Sequence, residues 1–289
     1  MSILNPKWIE GDLSADQWLI VPCGKCPACL IEKRNEWTYR IQSECICYPL
    51  NIFFTLTYDE LNEPWEETEF GFLPCVVKSD VQKFIKRLRK RIYGSSKSNI
   101  RYVVVSEYGP KSLRPHYHGI IFNYPIGRDF VDDIQSCWRF GIIDAQKVVG
   151  GAAGYCSKYL FKRVPDECKH MRKCFLLASR RPPLGFPSIS KKVQDYLNAN
   201  RTFFLRTPQG RSVKIPRIFK TKVFDDSFMR EISQEYKDES IRKDAVEFRR
   251  LVNHYGSTEK AVDAIRESTR GKWSSLLHII NQRSKNSKI

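Results

Sequence analysis

The chain has 289 residues, of which 42% are hydrophobic, 12% aromatic and 28% charged, a balance that excludes a disordered or fibrous polymer and is compatible with one large or two modest globular domains. Forty-nine Lys and Arg against thirty-two Asp and Glu give a formal charge of +17, which favours a polyanionic partner such as nucleic acid, although a basic surface also serves plain solubility. No apolar run approaches the roughly 20 residues that span a bilayer, and the N-terminus has no basic segment followed by an apolar stretch, so no membrane association is expected and an intracellular, reducing setting is.

Ten cysteines in such a setting suggest metal or free thiols before disulfides. Cys23, Cys26 and Cys29 form C-x₂-C-x₂-C, with Cys45, Cys47 and Cys75 as candidate fourth ligands. The spacing suits a structural Zn²⁺, an iron–sulfur cluster or simply reduced thiols, because the second pair of a zinc ribbon is missing. Lys25, Lys33, Arg34 and Arg40, with Trp37 and Tyr39, read either as a single-stranded DNA surface or as a helix with a basic outer face and a buried aromatic.

Residues 51–58, NIFFTLTY, are β-branched and aromatic and predict a strand, followed by an acidic loop over about 59–72. Ser79 and Gln82 make a capping box for an amphipathic helix over 80–93, with Val81, Phe84, Ile85, Leu88 and Ile92 inward and Lys83, Lys86, Arg87, Arg89, Lys90 and Arg91 outward. RYVVVSE (101–107) predicts a strand buried on both faces, and Gly109, Pro110 and Pro115 predict a turn before a second strand, HYHGIIF. A short helix over 129–138 on Phe130, Ile134 and Trp138, a strand over 141–149 and, after Gly150, Gly151 and Gly154, a further helix complete the core. Ser179–Ser190 reads as a linker or wrapping loop, and 225–282 as mostly helical. The expected organisation is a basic, cysteine-containing segment at 1–44, a mixed α+β core at 45–178 and a helical C-terminal region at 179–289.

Two features carry chemistry. His116 and His118 alternate on a strand, so both project from one face with about 7 Å between their α-carbons. Pairing of Glu107 opposite His116 would add a carboxylate, and two imidazoles with one carboxylate suit Mn²⁺, Mg²⁺ or Zn²⁺; an isolated HxH pair is equally compatible with a structural role. In GYCSKYLFK, helical spacing puts Tyr155, Lys158, Tyr159 and Lys162 within an arc of about 100°. That face serves half-buried tyrosines with snorkelling lysines, or a pair of phenolic nucleophiles for a phosphodiester.

FFTLTY, then SEYGPKSLRPHYHGIIF, then YCSKY resemble, in order, the three motifs of the HUH endonucleases that initiate rolling-circle replication. The double tyrosine flanking a lysine is similar to the initiators of the Microviridae, and CGKCPACL with EWTYRI is most similar to the gokushovirus branch, which includes phages of Chlamydia; the resemblance covers about residues 20–165. It implies an antiparallel sheet of about five strands with an RRM-like HUH core. It implies His116 and His118, with Glu107, as ligands of a catalytic Mg²⁺ or Mn²⁺, and Tyr155 and Tyr159 as nucleophiles with Lys158 assisting. The implied activity is nicking and joining of single-stranded and supercoiled viral origin DNA through a 5′-phosphotyrosine. The absence of a GxxxxGK[ST] phosphate loop would leave unwinding to a host helicase and the host replication machinery in the bacterial cytoplasm. Plasmid initiators, relaxases and transposases share this chemistry, and a non-catalytic basic DNA-binding protein is the rival from another class.

Overall fold

The computed structural model describes residues 27–94, 99–109, 112–148, 170–206 and 212–285. The chain divides into two compact units, one running Arg34–Ser190 and the other formed by Met1–Lys33 with Lys191–Ile289. The first is wider at both ends than the core expected at 45–178.

The Arg34–Ser190 unit is built on five antiparallel strands in the order β6-β1-β5-β4-β7: β1 (Asn51–Tyr58), β4 (Arg101–Tyr108), β5 (Pro115–Phe122), β6 (Gly141–Lys147) and β7 (Leu176–Ala178). Its fold is therefore α+β, as the resemblance implies. The tight link between β4 and β5 makes them neighbours, and β1 inserts on the other side of β5. The most apolar strands thus occupy the middle of the sheet.

Period-two alternation gives each face its own core. Phe54, Leu56 and Tyr58 of β1 point to one side, with Val104 and Tyr108 of β4 and Tyr117 and Ile121 of β5. There they bury Val81, Phe84, Ile85 and Leu88 of α2 (Lys78–Tyr93) and Ile134 of α3 (Phe130–Cys137), and Trp138 joins them. Phe53, Val103, Ile120 and Phe122 point to the other side, against Ile41 of α1 (Pro27–Ile46) and Leu184. Gly119 faces α2, where a Cβ would come within 2.5 Å of the Phe54 ring and 2.7 Å of the Val103 carbonyl oxygen, so only glycine lets Phe54 cross β5.

Several expectations are corrected. The capping box does not form: α2 starts earlier, at Lys78, and its N-cap, Val77, has no side-chain cap. Buried tyrosines satisfy this end of the helix instead. Tyr117 Oη accepts from the Val77 amide at 2.8 Å, Tyr108 Oη accepts from the Val76 amide at 3.1 Å, and Tyr58 Oη donates to Asp80 at 2.8 Å. The outer face of α2 is also partly engaged, because Arg91 reaches Asp133 at 2.7 Å and Arg87 donates to the Cys137 carbonyl at 2.8 Å. The acidic loop contains a hairpin, β2 (Trp65–Thr68) with β3 (Gly71–Pro74), whose largely exposed residues give no inside-outside alternation to read. β7 is too short to show a period, and residues 149–169, with the expected second helix, lie outside the described residues.

The 179–190 stretch is clamped to the core. Buried Glu44 of α1 pairs with Arg101 of β4 and accepts from the Gly185 amide, Arg101 donates to the Pro182 carbonyl at 2.8 Å, and Arg40 donates to the Leu184 carbonyl at 3.2 Å. Gly185 has φ 83°, and a Cβ there would meet the Arg40 carbonyl oxygen at 2.6 Å.

In the second unit, α4 (Lys191–Ala199), the hairpin β8 (Phe204–Arg206) with β9 (Ser212–Lys214), and α5 (Arg217–Val223) precede two long helices, α6 (Asp226–Tyr255) and α7 (Thr258–Lys285). Leu197, Phe203, Ile215, Phe224 and Ile232 form its core. Asp225 caps α6 by accepting from the Phe228 amide at 2.7 Å, and Gly256 ends it in the left-handed region, as the helical pattern over 225–282 predicts. Among the described residues, no helix is long and apolar enough to cross a membrane.

Candidate active site on the open sheet face

The face that carries Phe53, Ile120 and Phe122 changes character along the strands. Continuing by twos, β1 presents Thr55 and Thr57, β5 presents His118 and His116, and β4 presents Val105 and Glu107. The register sets Thr55 and Val105 opposite His118, and Thr57 and Glu107 opposite His116. The apolar half of the face is sealed by α1 and Leu184, and the polar half holds the histidines.

Both imidazoles are anchored from β1. Thr55 Oγ1 lies 3.1 Å from His118 Nδ1, and Thr57 Oγ1 lies 3.0 Å from His116 Nδ1. With Nδ1 protonated and donating to the hydroxyl, Nε2 bears the lone pair, the tautomer that metal-binding histidines need. Phe53 stacks on His118 with centroids 6.3 Å apart and 14° between planes, which fixes the ring further. The two imidazole centroids are 6.4 Å apart.

Glu107 pairs opposite His116 in the ladder, yet its carboxylate reaches diagonally to His118, with Oε2 3.4 Å from Nε2. Glu107 is 8% exposed, and on this face its charge is held beside an imidazole. Nε2 of His116 sits over Gly109, where a Cβ would come within 3.0 Å, so the glycine of the turn also makes room for the ring. Arg114, just upstream, faces the acidic loop instead, 3.8 Å from Glu60 and 4.0 Å from Glu63, distances at which an ion pair contributes little.

The donor types suit a divalent cation: two imidazole nitrogens with their other nitrogen hydrogen-bonded, and one carboxylate on the same face. Among the described residues, however, no three His, Cys, Asp or Glu side chains converge on one point. Register and facing supply the set, and rotation of the His116 and Glu107 side chains about their Cα–Cβ bonds would be needed to close it.

Tyr155, Lys158 and Tyr159 lie outside the described residues, as do Cys23 and Cys26. Cys29 is buried. Burial, with Glu44 and Cys47 nearby, pushes the Cys45 thiol up to about 12, and Cys47 Sγ donates to the Ser43 carbonyl at 3.1 Å. Trp37 packs against the Ile41–Leu184 cluster with the Arg40 guanidinium 4.0 Å above its ring, so this pair serves packing, not base stacking. What sequence reasoning missed is the support: Thr55, Thr57, Phe53 and Gly109. The alternation FxTxT opposite HxH was the available signal.

Residues 51–164 match a family model described as replication-associated protein ORF2. The chain is 27% identical over 266 residues to the replication-associated protein VP4 of Bdellovibrio phage phiMH2K, covering 82% of this chain and 81% of that one. It is 37% identical over 130 residues to the replication-associated protein ORF2 of Spiroplasma virus 4, covering 44% of this chain and 36% of that one. Over 165 residues it is 24% identical to the replication-associated protein ORF4 of Chlamydia phage 1, covering 51% and 39%. No solved structure matches at a significant level. These relatives bear out the resemblance to the replication initiators of small phages and support an initiator role in phage DNA replication.

Proposed function

We propose that this initiator is a metal-dependent, single-strand DNA endonuclease and joining enzyme that opens and closes the viral origin through a tyrosine. The reading is carried by one observation: Glu107, His116 and His118 share a sheet face with both Nδ1 atoms hydrogen-bonded to threonines. The family match extends through the segment that contains the YCSKY motif.

His116 and His118 through Nε2, with Glu107, would hold a Mg²⁺ or Mn²⁺. The ion would supply Lewis acidity at a non-bridging oxygen of the scissile phosphate. Thr55 and Thr57 keep both imidazoles in the required tautomer, and Phe53 limits rotation of His118. The phenolic oxygen of Tyr155 or Tyr159 attacks phosphorus, the bond to O3′ breaks, and the phenol's proton is released as O3′ leaves to become a hydroxyl. The fragment with the 5′ phosphate remains on the enzyme as a phosphotyrosine diester, while the 3′-hydroxyl primes synthesis. After one round the second tyrosine repeats the cut, and a 3′-hydroxyl attacks the first phosphotyrosine to close the circle. The phosphodiester count is conserved throughout, so no nucleotide cofactor is consumed. Lys158 offsets charge on the phosphate. A host helicase would open the duplex, and structural Zn²⁺ on Cys23, Cys26 and Cys29 is a separate proposal, tested by metal analysis of the purified chain.

Incubation with single-stranded origin DNA and Mn²⁺ should yield a covalent adduct that resists denaturant and is lost on His116→Ala. An adduct that persists in the Tyr155→Phe, Tyr159→Phe double variant would overturn the assignment.

A further inference from the structure

At the far end of β4 from Glu107, a groove of about 800 Å³ opens between α2, the start of β4 and the segment after β7. Lys78, Arg89, Arg101, Arg180 and Arg181 line it, and among the described residues that do so none is acidic. Arg101 is neutralised by Glu44, but no described carboxylate forms an ion pair with the other four. A chain with 32 acidic residues has many with which to compensate such a groove, and here it does not.

The groove is held open by the fold. Lys78, Gln82 and Arg89 follow one another along one stripe of α2 at steps of four and seven. The Arg89 guanidinium lies 5.5 Å from the Tyr102 ring centroid, which fixes it towards the opening. On the opposite wall, the Tyr102 amide donates to Ser179 Oγ at 3.0 Å and the Ser179 amide donates to the Tyr102 carbonyl at 2.9 Å. That pair of bonds ties the chain to β4 immediately before Arg180 and Arg181, which stand exposed at the rim. Cations preset on rigid elements lose little entropy when they meet a phosphate.

We propose that this groove binds the sugar-phosphate backbone of the DNA that flanks the scissile site. The proposal rests on the nicking role above and adds a second contact remote from the histidines. Six strand positions separate Arg101 from Glu107, or about 20 Å, which at about 3.4 Å per nucleotide corresponds to roughly six nucleotides. DNA that reaches both sites therefore needs that much length to one side of the cut. Backbone contacts set position and affinity without reading bases.

The test uses the full chain and a fluorescent single strand of mixed sequence, about 30 nucleotides long so that it spans both sites, with anisotropy measured as a function of salt. Arg180→Gln with Arg181→Gln should weaken binding about tenfold at roughly 0.15 M salt and lower the slope of log K against log salt by about 1.4, near 0.7 for each lost phosphate contact. The charge-matched variant Lys86→Gln with Lys90→Gln, on the exposed side of α2, should change the slope by less than half as much. Equal slopes for the two variants would overturn the proposal, because the loss would then reflect net charge alone. Adduct formation on origin DNA is scored separately: a wild-type chain that forms no adduct defeats the nicking role, while the salt slopes still decide whether the groove binds DNA.

Discussion

Asp133 in α3 is 2% exposed and gathers three cationic or hydroxyl donors: Arg91 Nε at 2.7 Å, Arg128 through Nε and Nη2 at 2.8 Å each, and the Tyr124 hydroxyl. Burial pushes its carboxyl up, but the hydrogen bonds from Arg128, Tyr124 and Arg91 outweigh burial and hold it at about 2. A folded-state value below the unfolded one means that ionisation stabilises the fold above the unfolded value, near 4, and that this contribution is lost as pH falls through the folded value, near 2. The difference corresponds to about 2 kcal/mol at neutral pH, and linkage leaves roughly half of it at about pH 3. Asp133→Asn keeps the volume and one acceptor but removes the charge, so urea unfolding should show a gap of about 2 kcal/mol between wild type and variant at about pH 7. The gap should shrink to roughly half at about pH 3. A gap that stays constant across this window would refute the reasoning, since it would assign the cost to lost packing or geometry and not to ionisation.

Thr57→Val and Thr55→Val each remove one anchor of an imidazole and should raise the Mn²⁺ concentration needed for adduct formation by about 10–100-fold while Ser in either position restores it; valine and serine behaving alike would remove the threonines from the mechanism. Gly119→Ala should destabilise the Arg34–Ser190 unit by about 1–3 kcal/mol in urea melts, with only partial relief from Phe54→Leu because the Val103 carbonyl remains in the way. Glu44→Gln should cost about 3–5 kcal/mol by leaving Arg101 buried without a counter-charge, whereas the double change Glu44→Leu, Arg101→Met should recover much of the loss; a double variant as unstable as the single would contradict the buried-pair account.

The parts of the fold that sequence made legible are those with a strong period. NIFFTLTY, RYVVVSEY and PHYHGIIF are eight-residue strands in which alternate positions fill two different cores, and the helices at 78–93 and 226–255 show sustained helical patterning. Hidden from the sequence were features decided by distant partners. The start of α2 depends on hydroxyls of Tyr108 and Tyr117, at sequence separations of 32 and 40 residues, which no local capping pattern can announce. The 179–190 segment reads as a linker because its prolines and glycine dominate, although Glu44 and Arg101 bind it to the core. The β2–β3 hairpin bonds through its backbone with its side chains largely in solvent, so composition made it look like a loop.

The histidine pair was visible for the same reason that its supports were not. A strand of period two makes HxH conspicuous by itself, while the roles of Thr55 and Thr57 exist only once β1 is set against β5 with Thr55 opposite His118. Shifting that register by one residue would turn Phe54 and Leu56 toward the imidazoles and send both threonines into the α2 core. The same alternation that fills the core with Phe54, Leu56 and Tyr58 therefore fixes which side chains can steady the histidines. Stability of β1 and geometry of the candidate site are set by a single register, so a strand substitution that loosens packing on the α2 side should also disturb the imidazoles across the sheet.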